Sequence, residues 1–301
     1  MNPDWKKILR TNFTSVEEIA DFLELQEPDR KLLLRRPRFI LNVPRRIAEK
    51  MEKGTLDDPL VRQFLPHIFE HAEDVDDLLD PNQEQLYHLS PKMLKKYHGR
   101  VLLLPTSACA MHCRYCFRQN FPYETSNKSL ESEIEEIAAD RSIFEVILSG
   151  GDPLSLSDLH LSDLLGKIDQ IPHVKVIRFH TRFPIGIPER IDHSLLTLLQ
   201  RVSKQIIFVL HINHQKELDD DVLDALKKLR NLGFPLLCQS VLLKGVNDHE
   251  AILTSLYQKL IEHGIMPYYL HQLDRVKGAS RFEVEPEYGL KLIETLRTLL
   301  P

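Results

Sequence analysis

The sequence predicts an α/β protein, a partial TIM-type barrel of six strand–helix units, (βα)6, that follows a helical N-terminal region. Short apolar segments rich in β-forming residues begin at residues 101, 144, 174, 205, 235 and 265. Amphipathic helix patterns fill the gaps between them, and this alternation is typical of parallel βαβ units. Strands that are apolar almost throughout indicate a sheet covered on both faces or curled into a barrel. Six units are too few for a closed eight-stranded barrel, so we expect one open side.

The first hundred residues contain helix signals and no convincing strand. Pro44 is placed to open one helix, because proline is favoured in the first turn. Another helix pattern covers residues 59–71, where Pro66 should kink or split it. We therefore assign residues 1–95 to a helical N-terminal region and residues 96–301 to the barrel.

The helices of the barrel are predicted from amphipathic patterns that start at residues 130, 221 and 252. Gly264 follows the last of these at a position where glycine commonly ends a helix. A final helix is expected to begin near Pro286.

Polar residues collect just after the expected strands. In parallel α/β architectures the carboxyl ends of the strands meet at one mouth, where ligands bind. Six independent polar sets at this level predict an enzyme, without help from any motif. They lie at residues 109–116, 150–152, 180–182, 211–214, 239–248 and 271–274.

Composition limits the classes of partner. Hydrophobic residues make up 43% and charged residues 28% of the chain, as in an ordinary folded protein. No apolar run approaches the length that spans a bilayer, and the N-terminus lacks an apolar signal core, so we expect no membrane partner and a cytoplasmic location. The net charge of −5 argues against a nucleic-acid partner.

Three of the four cysteines fall within eight residues, in the segment T-S-A-C-A-M-H-C-R-Y-C-F-R. Cys109, Cys113 and Cys116 can converge on one iron–sulfur cluster from a single loop, and a cubane with three protein ligands leaves one iron open. The alternative is a zinc site with His112 as fourth ligand. Zinc sites more often have a second, distant cysteine pair, and this sequence has none, so the iron–sulfur interpretation is favoured.

The surrounding motifs resemble a known family. The segments KYHGRVLLL, CRYCFRQNFPYE, ILSGGDPL, HTRFPIGIPERI, HINH, QSVLLKGVND and PYYLHQLDRVKGASRF occur in the order and spacing of the lysine 2,3-aminomutase family of radical S-adenosylmethionine (SAM) enzymes. The similarity covers roughly residues 85 to 285. The YHGR and FPYE wording is most similar to the branch that is specific for elongation factor P.

The resemblance implies three cofactors and two sets of substrate contacts. A [4Fe–4S] cluster on the three cysteines would reduce SAM with an electron from a reductant such as flavodoxin or ferredoxin. Arg100 and Lys96 would hold the phosphate of pyridoxal phosphate (PLP). Arg118 would grip the carboxylate of lysine, or of a lysyl-derived substrate, and Asp274 its ε-ammonium group. The SAM contacts implied are Tyr115, Ser149, Gly150, Gly151, Asp152, His211 and Gln239, with the glycines bringing backbone close to the SAM amino group.

The sequence departs from the family at one point. The family anchors PLP through a lysine in a K-T-P segment near the C-terminus, whereas this sequence ends at RTLLP. We therefore assign no Schiff-base lysine. Truncation, non-covalent PLP binding and loss of the reaction would each account for this, and truncation is favoured because the rest of the site is intact. The hypothesis is that the chain loads a cluster and binds SAM but converts lysine poorly.

Three other functions remain open at this point: a radical SAM enzyme that does not use PLP, a non-catalytic iron–sulfur protein, and a zinc-binding interaction module. The motifs do not decide between free lysine and a link to elongation factor P modification. A neighbouring subunit could cover the open barrel edge, so a homo-oligomer is a further expectation.

Overall fold

The computed structural model describes residues 4–71, 78–126 and 129–300. Its centre is one sheet of eight strands that lie side by side in chain order. Strands β3 to β8 pair in parallel, which confirms the six-unit partial barrel. The strands are β1 (His88–Ser90), β2 (Met93–Tyr97), β3 (Arg100–Leu103), β4 (Glu145–Leu148), β5 (Val176–Thr181), β6 (Gln205–His211), β7 (Leu236–Val241) and β8 (Met266–His271).

The expectation that the first hundred residues contain no strand is wrong. Strands β1 and β2 extend the sheet with antiparallel pairing ahead of β3. Tyr97 pairs with Arg100 across a two-residue turn in which Gly99 has φ +77°, a backbone conformation that favours glycine. Only Met93 and Leu94 of β2 are buried. A strand with so short an apolar part carries no clear alternating pattern.

The N-terminal helices are α1 (Trp5–Leu9), α2 (Val16–Phe22), α3 (Glu27–Arg30), α4 (Arg45–Glu49) and α5 (Pro59–Phe64). Helix α4 begins directly after Pro44, and α5 is followed by a separate 3₁₀ turn at Ile68–His71, so the expected interruption at Pro66 is confirmed. The ring of Trp5 meets that of Phe183 at 5.4 Å. One buried apolar cluster includes Trp5 and continues through the barrel, so the N-terminal helices share one core with it.

The remaining helices follow the parallel strands along the chain. Helix α11 ends at Glu262, and Gly264, two residues later, adopts φ +69°. This is the conformation expected of a glycine that ends a helix. No helix in the described ranges is long and apolar enough to cross a membrane. These helices are α6 (Glu131–Ala139), α7 (Asp158–Asp169), α8 (Phe183–Gly186), α9 (His193–Gln200), α10 (Asp220–Asn231), α11 (Glu250–Glu262) and α12 (Pro286–Leu299).

Candidate active site

The carboxyl ends of the parallel strands surround one cavity of about 670 Å³. All fourteen residues that the sequence analysis selected lie in its wall, although they come from segments spread over 179 positions of the chain, from residue 96 to residue 274. They are Lys96, Arg100, Cys109, Cys113, Tyr115, Cys116, Arg118, Ser149, Gly150, Gly151, Asp152, His211, Gln239 and Asp274. The structure therefore brings the whole predicted set together.

The loop that carries the cysteines follows β3 and is anchored on the segment after β4. The backbone nitrogen of Gly151 donates to the carbonyl of Thr106, and that of Asp152 to the carbonyl of Ala108, both at 2.8 Å. A Cβ atom on Gly151 would lie 2.4 Å from the Ala108 oxygen, and one on Gly150 would lie 2.7 Å from the Thr106 oxygen. These two glycines therefore allow the backbone of the cysteine loop to lie close to the segment after β4.

The carboxylate of Asp152 holds the loop after β5. Its two oxygens accept hydrogen bonds from the hydroxyl of Thr181 and from the backbone nitrogens of Leu154, Arg182 and Phe183, at 2.8–3.0 Å. Burial raises the pKa of Asp152 to about 6, although these donors favour the charged form. Both oxygens accept hydrogen bonds from the protein, so Asp152 positions two loops.

Two interpretations of the cysteine loop, a cluster and a single zinc ion, place different demands on the three sulfurs. In the part of the chain that the structure describes, no three His, Cys, Asp or Glu side chains lie close enough to hold one metal ion. A tetrahedral zinc would need its sulfurs close together, each about 2.3 Å from the metal, whereas a cubane holds three cysteines further apart. His112 commits Nδ1 to the carbonyl of Ile40 at 2.9 Å and stacks on Phe39. That hydrogen bond leaves Nε2 of His112 for another partner, as in metal-bound histidines, so it does not by itself separate the two interpretations.

Burial raises the pKa of two of these thiols, that of Cys116 to about 11 and that of Cys109 well above its usual value. Both thiols are protonated at neutral pH in the absence of a metal, so loading a cluster has to displace their protons. This donor set of three thiols in one cavity wall is the one that iron–sulfur clusters use.

Tyr115 and His211 meet at the back of the cavity. The hydroxyl of Tyr115 lies 2.9 Å from Nε2 of His211 and 2.6 Å from Nδ2 of Asn213, and it also contacts the guanidinium of Arg182. Burial, followed by the charge of Arg182, lowers the pKa of His211 well below its usual value, so the imidazole is neutral. These two expected SAM contacts thus belong to one buried hydrogen-bond network.

Arg118 already has a carboxylate partner. Its Nε and Nη2 atoms donate to the two carboxylate oxygens of Glu84, at 2.8 and 2.6 Å, and Nη1 donates to Oγ of Ser149 at 3.0 Å. Both Arg118 and Glu84 are nearly buried. Sequence reasoning missed Glu84, which lies on a short 3₁₀ turn, Glu84–Tyr87, with no periodic pattern to reveal it.

Three other charged residues of the cavity wall, Asp274, Lys96 and Arg100, have no ion-pair partner among the described residues. The carboxylate of Asp274 accepts a hydrogen bond from the side chain of Asn82, and burial raises its pKa. Lys96 lies over the ring of Tyr87 and Arg100 over the ring of Tyr97, 5.0 and 4.4 Å from the ring centres. One carboxylate and two cations therefore face the cavity without a neutralising charge from the described part of the chain.

Two further residues of the wall were noted in the sequence only as polar residues after the third strand. Burial, and then Arg178, lower the pKa of His180 to about 3. Its buried Nε2 has no hydrogen-bond partner among the described residues, so this nitrogen can bind a water or a ligand in the cavity. Arg182 donates to the sulfur of Cys113 at 2.9 Å. The signal for both was their position at a strand end.

Comparison with known proteins decides the family. The profile of the Radical SAM superfamily matches residues 103–255. The L-lysine 2,3-aminomutase of Escherichia coli strain K12 is 41% identical over 302 aligned residues, which cover 99% of this chain and 88% of that protein. This chain belongs to the lysine 2,3-aminomutase family of radical SAM enzymes. Members of this superfamily carry a [4Fe–4S] cluster and use SAM, and an aminomutase is an isomerase.

Other relatives agree with this assignment. The L-lysine 2,3-aminomutase of Haemophilus influenzae is 40% identical, covering 98% of this chain and 89% of that protein. The L-lysine 2,3-aminomutase of Clostridium subterminale is 30% identical, covering 98% of this chain and 72% of that protein. Among solved structures, Streptococcus suis SuiB bound to the precursor peptide SuiA has a TM-score of 0.51 at 16% identity, covering 68% of this chain and 47% of that one. This structural likeness supports the radical SAM barrel and no more.

Proposed function

We propose that this aminomutase moves the α-amino group of L-lysine to the neighbouring carbon and so produces β-lysine, with PLP as a third cofactor. The observation that carries the proposal is the convergence of all fourteen selected residues on one cavity. A chain that is 41% identical to an L-lysine 2,3-aminomutase supports the same reaction. When bound, the reduced cluster and SAM supply a hydrogen-abstracting radical, and PLP supplies a conjugated system that stabilises an unpaired electron.

The cluster and SAM would be held by residues whose loops are already fixed. Cys109, Cys113 and Cys116 are the ligands that we propose for the cluster. Ser149, Gly150, Gly151, His211 and Gln239, which line the cavity next to them, are the SAM contacts that we propose. Tyr115 and Asp152, whose polar atoms also bind protein groups, are the remaining SAM contacts that we propose. Fixed loops keep the reacting atoms aligned and exclude water.

The two ends of lysine would be held by opposite charges. Asp274 would bind the ε-ammonium group, which suits a half-buried carboxylate that has no cation partner among the described residues. Arg118 would bind the carboxylate with its planar fork. Since Glu84 occupies that fork, the substrate carboxylate has to displace Glu84 or share Arg118 with it. Fixing both ends sets which carbon of lysine faces the radical.

Lys96 and Arg100 would bind the phosphate of PLP. The two cations lie on neighbouring strands, β2 and β3, and neither is neutralised by a carboxylate of the described chain. Both are kept in place by a tyrosine ring, which leaves their charge available for an anion. The PLP proposal rests on these two residues and on the family, since the sequence contains no K-T-P segment.

The test is conversion of lysine by the purified chain. The protein is reconstituted anaerobically with iron and sulfide, and SAM, lysine and a reductant are added with or without PLP. We expect β-lysine only when PLP is present. Cleavage of SAM without β-lysine at any PLP concentration would point to a different radical SAM reaction, and the absence of SAM cleavage to a non-catalytic protein.

A role in elongation factor P modification is a further part of this proposal, and the YHGR and FPYE segments support it. If it is right, deleting the gene removes the β-lysyl mass increment from elongation factor P, and β-lysine added to the medium restores it. An unchanged modification in the deletion strain would contradict this role and leave the aminomutase reaction untouched.

A further inference from the structure

Arg182 contacts one of the cluster cysteines directly. It follows β5 at the mouth of the barrel and precedes α8. Its Nη1 atom donates to the sulfur of Cys113 at 2.9 Å and also contacts the hydroxyl of Tyr115. The side chain is buried, with 7% of its surface exposed. A buried cation therefore lies against a sulfur that the family uses to hold iron.

Besides the cysteine loop, two separate parts of the chain fix this guanidinium. Nη2 donates to Oε1 of Gln63 at 2.7 Å and to Oε2 of Glu217 at 2.8 Å. The plane of the group lies over the ring of Phe64, 4.8 Å from its centre. Gln63 and Phe64 belong to α5, so the N-terminal helices help to hold a residue of the barrel against the cysteine loop.

Glu217 balances the charge. It is fully buried, and its other oxygen accepts the backbone nitrogens of Asn213 and His214 at 2.9 and 3.0 Å. A buried ion pair costs desolvation of both groups and is not by itself a route to stability. The pair of Arg182 and Glu217 has no net charge, but one N–H of Arg182 still donates to the sulfur of Cys113. The sulfur therefore receives a hydrogen bond, while the electric field of the pair is weak at longer distances.

Hydrogen bonds to ligating sulfurs tune the reduction potential of an iron–sulfur cluster. Reduction adds negative charge to the cluster, and the sulfurs share it, so a donor to sulfur stabilises the reduced state more than the oxidised one. We propose that Arg182 is a positioning residue that orients Cys113 and raises the reduction potential of the cluster, with Glu217 limiting the size of that increase. The inference rests on cluster binding alone and needs neither lysine nor PLP.

The experiment measures the midpoint potential of the reconstituted protein without lysine or PLP, by redox titration followed through the EPR signal of the reduced cluster. In Arg182→Met/Glu217→Gln, which removes the donor and its counter-charge together, we expect the equilibrium constant for reduction to fall at least tenfold. A tenfold change is about 59 mV for a one-electron couple. Glu217→Gln alone leaves the cation uncompensated and is expected to shift the potential upward.

Two controls separate tuning from general damage. Arg190 is equally buried and pairs with Asp158, without contact to a cysteine, so Arg190→Met should leave the potential unchanged. Arg182→Lys keeps a charge and one donor, and it should recover part of the wild-type potential. If the double variant does not load iron, the midpoint potentials of the other two variants test the inference. It predicts a higher potential than wild type in Glu217→Gln and a moderately lower one in Arg182→Lys. Potentials equal to wild type in iron-loaded variants would overturn the inference, and the aminomutase proposal would stand unaffected.

Discussion

Glu84 binds one edge of the Arg118 guanidinium with both carboxylate oxygens, with Nε–Oε2 at 2.8 Å and Nη2–Oε1 at 2.6 Å. This is the geometry in which an arginine binds a carboxylate ligand. The pair lies inside the cavity and is almost completely buried. The side chain of Glu84 thus occupies the guanidinium that we propose as the binding group for the substrate carboxylate.

If lysine has to compete with Glu84, Glu84→Gln should bind lysine more tightly. We expect the dissociation constant of lysine, measured by calorimetry on the cluster- and SAM-loaded protein, to fall about tenfold, or about 1.4 kcal/mol. Gln85→Ala, at an exposed position of the same turn, is the control and should not change it. Weaker binding in Glu84→Gln would mean that Glu84 assists Arg118.

Gly151→Ala should disrupt the cysteine loop. Its Cβ would lie 2.4 Å from the backbone oxygen of Ala108, so the loop has to move. We expect a large loss of iron per chain after reconstitution, together with a lower free energy of unfolding. Gly166→Ala is the matched control, because Gly166 lies inside α7 with open space around its Cβ position. That change should raise stability by about 0.5–1 kcal/mol and leave iron content unchanged. Normal iron loading in Gly151→Ala would contradict this account of the loop.

Asp274→Asn should weaken recognition of the ammonium end of lysine. Loss of a charge-assisted contact of about 1.5–3 kcal/mol predicts a 10- to 100-fold higher KM for lysine. The comparison with norleucine, which lacks the ε-amino group, is decisive: its weak binding should be the same in the variant and in the wild type. An equal loss for both ligands would assign Asp274 a structural role.

Lys96 and Arg100 should bind PLP through its phosphate. We expect Arg100→Met and Lys96→Met each to raise the dissociation constant of PLP about tenfold or more, measured from its absorbance spectrum. Lys95 is the matched control, since it neighbours Lys96 but pairs with Asp140. Equal PLP affinity in Lys95→Met and Lys96→Met would argue against a phosphate site here.

His180 should make the fold sensitive to acid. Its pKa is lowered to about 3 by burial, whereas in the unfolded chain it is about 6.5. Between these pH values the unfolded state binds a proton that the folded state does not, so stability falls as the pH falls. From pH 7 to pH 5 this amounts to about 2 kcal/mol. The free energy of unfolding of His180→Phe, measured with urea, should fall by about 2 kcal/mol less than that of the wild type over this range.

His193→Gln, at an exposed position, controls for the removal of an imidazole. An acid response in His180→Phe that matches the wild type would show that His180 takes up a proton in the folded protein.

The sequence by itself determined the parts of this protein that depend on local periodicity and spacing. Strand–helix alternation predicted the parallel sheet, and cysteine spacing predicted the cluster loop. Polar residues at strand ends predicted which side chains meet, because parallel strands end on one side of the sheet. These rules depend on neighbouring residues. The roles of most of the fourteen residues that line the cavity came instead from the family resemblance.

Only the tertiary structure decided the partners of those residues. Glu84 is 34 positions from Arg118, and Gln63 is 119 positions from Arg182. Such pairs depend on how the N-terminal helices and turns pack on the barrel, and no local pattern records that packing. The same reason hid β1 and β2, because β2 completes its backbone hydrogen bonds with β3, and β1 pairs with β2. Local chemistry therefore marked the site, while long-range packing determined which of its charges are free to bind.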